Sequence, residues 1–412
     1  MSTSSEALQF STASDAAQFE ALRPAWNALI ARANQPHVFR SFDWWHNAWI
    51  CSAQQHGYGL HIVTGWVGDR LVLIWPLAEQ SGVLRMLSSG TLEYRDLIVE
   101  PSEHSPRWID EAWSYIKRSM KADIFLFQNL RLPNEVAKKA ALVPNTESIG
   151  GGWCSVIRLS HFPNWESYFA TLPKSLAADQ RRQWKRVWRD LPGTTFRLVD
   201  DCQKIRPVFD WIAKHKVAWG TARRKHAVWV TDAGIRNALL ASARAGLENK
   251  TLLMAELSDG TRTIAAGWGY RCGREFLFHA FAYDATYATY SPSRLFLECV
   301  IRQCFDEGID TFDFMPGEEP YKRIWSTEYI ATKSFVGPLN WRGAVLLRLA
   351  RWSRLDQYSD LAMVRMYRKL PSSVRDLLRR GTREFLVVND ALSLKVPTPP
   401  QSREAARGHG DE

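Results

Sequence analysis

Long apolar runs are missing from this chain. No uninterrupted apolar stretch approaches the roughly 20 residues that a membrane-spanning helix needs. The first residues, MSTSSEALQF, lack a basic region followed by an apolar run, so no secretory signal is read there. A soluble, cytoplasmic protein is expected. The six cysteines (Cys51, Cys154, Cys202, Cys272, Cys299 and Cys304) show no paired metal-ligand spacing. Cys299 and Cys304 lie five apart on one expected helix, which is not the spacing of a zinc knuckle. Free thiols and no metal are the reading. Also missing is a nucleophile motif, since no cysteine or serine sits beside a candidate base. Any group transfer is therefore expected to proceed by direct attack.

What is present is a globular composition, 46% hydrophobic and 23% charged over 412 residues. That length exceeds a comfortable single domain, so two are expected. Nineteen tryptophans imply large core or pocket walls, because each buries much apolar area. The net charge of +10 is unevenly placed. Residues 341–385 hold eleven Lys and Arg against four Asp and Glu, and residues 174–189 hold six against one. Basic character belongs to these two segments and not to the whole fold.

Periodicity predicts helices over 15–33 and 42–53 (containing FDWWHNAW), then strands over 60–67 and 71–77 around the hairpin signal Gly68-Asp69. Strands at 83–87 and 95–99, a helix at 108–120, a strand at 123–127 and a short helix at 135–141 follow. A strand at 153–159 comes after the hinge-like Gly150-Gly151-Gly152. The second half repeats this order. A basic helix at 174–189 and a strand at 195–199 precede helices at 205–218 and 232–245. Strands at 251–257, 262–270 and 275–282 form a meander. Ser291-Pro292 offers a capping hydroxyl and a first-turn proline for the next helix, which Gly308 stops. Strands at 311–315 and 331–336 end the unit. The domains expected are 8–152 and 153–340, followed by a basic helical extension at 341–390 and a disordered tail at 391–412.

Residues 263–325 commit most clearly to both a structure and a polar site. The aromatic hairpin with YDATYATYSP, the strand DTFDFMPGEEPYK and the following Trp325 resemble the tandem-domain acetyltransferase family that includes the CelD-type cellulose-biosynthesis proteins. FDWW and RDLIV in the first half resemble that family's N-terminal domain. The element order is that of the GNAT acyltransferase fold, and the architecture is similar to FemAB-type peptidyltransferases, which use aminoacyl-tRNA. The resemblance implies an α/β fold of two tandem GNAT-like domains with acetyl-CoA as co-substrate. One departure concerns the glycine-rich turn that holds the CoA pyrophosphate in most GNAT enzymes. Here that place reads Tyr290-Ser291-Pro292-Ser293-Arg294, without glycine. A helix N-terminus still attracts phosphate through unpaired N–H groups, and Ser291, Ser293 and Arg294 add hydroxyls and a charge.

Transfer of an acyl group needs an activated acceptor, a held oxyanion and a returned proton. His279, on the third meander strand, is the candidate base. Asp313, between Phe312 and Phe314, faces away from both, where a carboxylate is either functional or ion-paired. Glu318, just past the strand end, is a second candidate base, and Tyr287 a candidate acid. Lys322, read as lying in a strand-end loop, suits a phosphate of CoA or of a nucleotide-linked acceptor. Tyr283, Asp284, Tyr321 and Trp325 are read as substrate contacts. The leading function is transfer of an acyl group, acetyl first, from acyl-CoA to an amine or hydroxyl of a sugar or exopolysaccharide precursor. The alternatives are FemAB-like aminoacyl transfer from tRNA, favoured by the basic 174–189 helix, and a non-catalytic accessory role in polysaccharide synthesis. Residues 341–386 are expected to touch a membrane surface or a synthase complex.

Overall fold

The computed structural model describes residues 7–33, 37–91, 93–223, 228–317 and 319–355. Its first half opens with β1 (Leu8–Ala13) and the helices α1 (Ala16–Ala21), α2 (Arg23–Ala33) and α3 (Phe42–Ala48). Strands β2 (Gly59–Val67), β3 (Arg70–Gln80), β4 (Val83–Met86) and the short β5 (Ile98–Val99) follow. Then come α4 (Ser105–Ser119), β6 (Ile124–Arg131), α5 (Glu135–Ala141) and β7 (Glu147–Arg158). The second half begins with α6 (Trp165–Phe169), α7 (Lys174–Asp190), β8 (Thr195–Leu198), α8 (Cys202–Arg223), α9 (Val228–Thr231) and α10 (Ala233–Glu248). It continues with β9 (Leu252–Ser258), β10 (Thr263–Cys272), β11 (Glu275–Tyr283), α11 (Pro292–Asp306), β12 (Thr311–Pro316), α12 (Pro320–Trp325) and β13 (Glu328–Pro338). The helix α13 (Trp341–Leu355) is last. Side-chain caps fix several helix starts: Asp15 accepts from the Gln18 N–H at 2.8 Å, and Asn134 from the Ala137 N–H at 2.8 Å.

The thirteen strands of the described residues join one sheet, in the order β1-β2-β3-β4-β6-β13-β7-β12-β11-β10-β9-β8, with β5 beside β3. The order reads as two copies of one unit back to back. In each, four antiparallel strands lead to a helix and then to a parallel partner, β4 with β6 and β11 with β12. Each half then gives its last strand to the other: β7 pairs with β12, and β13 pairs with β6. The two exchanged strands meet along the centre of the sheet, where Thr332 pairs with Gly152 and Lys333 with Gly151.

This corrects the expected hinge. The three glycines lie inside β7, and a Cβ on Gly151 would sit 2.7 Å from the Thr332 carbonyl oxygen. Their smallness serves close strand approach, not bending. A boundary after residue 152 would cut that strand.

The period-2 alternation sorts side chains onto two faces. One face is shared: Ile62 and Ile74 from the first half and Met254, Trp268 and Leu277 from the second pack with α1–α3, α8 and α10. The opposite face is covered separately, by α4 and α5 over Val72, Trp75 and Phe125, and by α6, α7 and α11 over Leu253, Phe276 and Phe312. Trp26, Trp44, Trp45 and Trp268 are fully buried in the shared layer. All six cysteines are unpaired. Among the described residues no helix is long and apolar enough to cross a membrane, and no cluster of His, Cys, Asp and Glu could hold a metal. Most of the 341–390 extension and the whole 391–412 tail lie outside the described residues.

Candidate active site

The parallel pairs do not stay paired. β11 and β12 are in register only from Glu275–Thr311 to Leu277–Asp313, and β4 and β6 only from Val83–Ile124 to Arg85–Leu126. Beyond those points the strands part, which leaves room between them and frees backbone polar groups. Both splits open into one cavity of about 550 Å³. The first half supplies Arg85, Ser88, Arg95, Gln128 and Asn129, and the second supplies Lys216, Phe278, His279, Phe281, Phe314, Tyr321 and Lys322. A second depression of about 650 Å³, beside α2, has its arginines Arg32 and Arg70 paired to Glu100, at 2.9 and 3.5 Å. Of these two, the shared cavity is the one in which reactive groups gather.

His279 lines that cavity, its ring 5.6 Å from Trp268, 6.0 Å from Tyr270 and 6.2 Å from Trp44. Burial lowers its pKa to about 4, with Glu93 pulling weakly the other way, so the imidazole is neutral at pH 7. Its Nδ1 is buried with no hydrogen-bond partner. A neutral imidazole with an uncommitted nitrogen can accept a proton. Tyr321, on α12, faces the same cavity between the rings of Phe281 and Phe314. Burial raises its pKa, and Glu319 adds to the rise, so its phenol keeps its proton and can donate. Sequence reasoning had taken Tyr321 for a substrate contact; its position also suits an acid.

Asp313 is fully buried and spoken for. It accepts from the Tyr94 hydroxyl at 2.9 Å and from the Met315 N–H at 2.7 Å, and pairs with Arg131 at 3.0 Å. Arg131 also pairs with Glu275 at 2.5 Å. Burial pushes the Asp313 carboxyl up, against the pull of Arg131. This network crosses the junction, Tyr94 and Arg131 coming from one half and Asp313 and Glu275 from the other. Asp313 thereby holds Met315, whose φ of +62° is rare for a side chain larger than glycine's. Its place is that of a positioning residue for the β12 end.

Lys322 is 5% exposed and lies in α12, not in a loop. Its ammonium donates to the carbonyls of Met315 and Pro316, both at 3.2 Å, and pairs with Glu319 at 3.0 Å. All three donors are thus committed to the same strand end. Trp325 is 1% exposed and stacks on Trp165 in the core, so a substrate in the cavity does not meet it. Tyr287 donates to Asp259 at 2.6 Å, and that bond raises its pKa to about 12. Asp284 caps the turn that starts at Ala285, accepting from the Thr286 N–H at 2.9 Å. Tyr283 is half-buried against the α11 side of the sheet. None of these four lines the cavity. Glu318 lies outside the described residues.

The start of α11 was expected to hold the CoA pyrophosphate. Ser291 there is left-handed, with φ of +54°, and its hydroxyl accepts from Arg294 at 2.8 Å instead of capping the helix. Pro292 has no N–H, and the N–H groups of Arg294 and Leu295 donate to the Ser291 carbonyl at 3.0 and 3.3 Å. The Arg294 guanidinium is paired with Asp179 of α7, whose Gln180 reaches the Arg294 carbonyl at 3.3 Å. Ser293 is left half-buried beside them. With Arg294 paired to a carboxylate and the N–H groups of Arg294 and Leu295 turned to the Ser291 carbonyl, Ser293 alone is left to donate, which is a poor fit to a bound pyrophosphate. Helix α7 meanwhile exposes Trp188, 62% accessible, which stacks on Trp184 at 5.7 Å. Only Trp184 is docked, its indole N–H donating to Glu298 at 3.0 Å.

Sequence reading missed Arg85, Lys216, Tyr94 and Arg131. Arg85 carried a signal, a lone charge in the apolar strand VLRM. Lys216, one of several cations on a long helix, carried none.

Comparison with known proteins agrees with this geometry at the level of fold. Residues 174–323 match an acetyltransferase (GNAT) domain. No curated protein matches the chain by sequence. Among solved structures, the crystal structure of FemX is similar over 79% of this chain and 98% of its own, with 9% identity and a TM-score of 0.56. The C-terminal domain of a putative lysylphosphatidylglycerol synthetase from Agrobacterium fabrum is similar over 80% of this chain and 95% of its own, with 11% identity and a TM-score of 0.51. The fold is therefore α/β with a GNAT domain in its second half. The CelD-type resemblance remains an expectation from sequence.

Proposed function

We propose that this chain is an acyltransferase, and that it acylates an amine or hydroxyl of a sugar or cell-envelope precursor in the cavity shared by its halves. The observation that carries the reading is the pairing of a neutral, uncommitted His279 with a protonated Tyr321 in one partly enclosed space. His279 takes the proton from the acceptor as its nitrogen or oxygen attacks the acyl carbon directly. Tyr321 donates toward the oxygen that becomes negative or toward the leaving group. The Asp313–Arg131 and Lys322–Glu319 pairs hold β12 and α12 beside the cavity that both side chains line.

Acyl-CoA is the donor that the matched domain first suggests. The closed start of α11 favours the second reading, an aminoacyl ester delivered by tRNA, and the exposed Trp188 among the arginines of α7 supports it through stacking and charge. Two measurements separate them. Acetyl-CoA that turns over, or that raises the melting temperature, supports the first. Binding of aminoacyl-tRNA that weakens steeply with salt, and that Trp188→Ala weakens about tenfold, supports the second. Absence of transfer from either donor leaves the non-catalytic accessory role. Surface docking through the basic C-terminal segment also stays a proposal, since α13 exposes Trp341, Val345 and Leu349 beside Arg342. Flotation with anionic vesicles tests it, and absence of binding removes the membrane form.

A further inference from the structure

Arg85 is out of place by ordinary rules. It stands on β4 between the buried Leu84 and Met86, its Nε is buried without a partner, and no carboxylate pairs with it among the described residues. A half-buried guanidinium whose Nε is buried without a partner costs stability unless something anionic meets it. Burial depresses its pKa and Arg95 adds to the fall, while Tyr58 and, more weakly, Glu79, neither paired with it, pull the other way. Arg95 differs: it is held by Glu93 at 3.4 Å and Ser88 at 2.8 Å, so its charge is already answered.

Lys216 repeats the anomaly from the other half. Its ammonium, on α8, has a long contact of 3.4 Å to the Phe281 carbonyl and lies 5.5 Å from the rings of Trp219 and Phe281, with no ion pair among the described residues. The anion that acts on it from nearby, Glu319, is bound to Lys322 at 3.0 Å. Both uncommitted cations line the 550 Å³ cavity that holds His279 and Tyr321.

We propose that the acceptor carries an oxyanion, a phosphate or a carboxylate, and that Arg85 and Lys216 hold it across the junction of the halves while His279 faces the acylated group. The inference rests on the acyltransferase reading for the word acceptor, but the anion subsite rests on the two cations alone. A guanidinium and an ammonium suit an oxyanion better than a neutral sugar, because a fork and a point charge together satisfy several oxygens. A space of this size takes a sugar phosphate or sugar acid. Such a ligand would add a link between the halves beside the Asp313–Arg131–Tyr94 network.

Calorimetry on the full chain with inorganic pyrophosphate and, separately, with sodium glucuronate tests the subsite and tells phosphate from carboxylate. Binding of at least one probe is expected, weakened about tenfold or more in Arg85→Gln and in Lys216→Gln, and unchanged in the surface control Arg107→Gln. Arg85→Met, which removes an unanswered charge, is expected to melt no lower than the parent without added anion. Binding of neither probe, equal binding by both variants, or a clearly lowered melting temperature for Arg85→Met would overturn the proposal. Acyl transfer is measured in parallel. Variant-sensitive anion binding without transfer from either donor removes the acyltransferase reading and keeps the subsite. Transfer with anion binding indifferent to both substitutions removes the subsite and keeps the reading.

Discussion

Burial keeps the His279 imidazole uncharged down to about pH 4, well below the ordinary 6.5, and this sets the first expectation at the scale of single residues. If it is the base, the acidic limb of kcat/KM should fall near pH 4 and be absent between pH 6 and 7. His279→Gln should lower kcat by roughly 10²–10⁴-fold with little change in melting temperature. A limb near 6.5 in the parent enzyme would contradict the buried assignment. The same burial has a stability cost. The folded-state pKa of His279 is about 4 and that of His37 about 3, both below the unfolded value, so the unfolded chain binds protons first as pH falls. Stability from these two groups is full above about 6.5 and declines as pH drops toward 4. Asp96, raised by burial to about 6, acts in the opposite direction between pH 4 and 6. Urea midpoints measured from pH 7.5 to 4.5 should fall in the parent and fall less in a His37→Gln, His279→Gln double variant.

At the scale of elements, the junction depends on one guanidinium. Arg131→Met leaves the buried Asp313 and the half-buried Glu275 without this cation, and the expected loss is about 3–5 kcal/mol in urea unfolding. A loss below about 1 kcal/mol would mean that water reaches Asp313 as well. The central strand pair has its own sensitivity. Gly151→Ala would press a methyl group into the Thr332 carbonyl, and it should destabilise the chain without touching the cavity. Most elements were legible in the sequence because each has a period or a stop of its own. The helix 135–141 was read with its true ends, and the 174–189 helix within one residue. The misreadings share a cause. The glycine triplet resembles a hinge locally, and Lys322 a loop residue, because the partner strand β13 and the carbonyls of Met315 and Pro316 are far apart in sequence or hidden in a turn.

At the scale of the molecule, the exchange of β7 and β13 makes the halves interdependent. Each parallel core lacks a neighbour unless the other half supplies it. Fragments 1–152 and 153–412 made separately should therefore fail to give cooperative unfolding, and the intact chain should unfold in one transition. Two independent calorimetric transitions would show that the shared layer of α1–α3, α8 and α10 does not couple them. The shared cavity makes the same point for function, since its cations come from both halves and its aromatic wall mainly from one.

The residues alone determined the α/β class, the duplicated element order and the candidacy of His279, because period, turn chemistry and residue type act over a few positions. They also marked Asp313 as a carboxylate in need of a reason. Only the tertiary structure decided that the reason is Arg131 and Tyr94, that Trp325 is core, and that the helix start at Ser291 is closed by Asp179. It also showed that Arg85 and Lys216 stand unanswered in one cavity. Those facts depend on which distant groups come within hydrogen-bond reach, and a linear pattern carries no distance between residues that folding brings together from opposite halves.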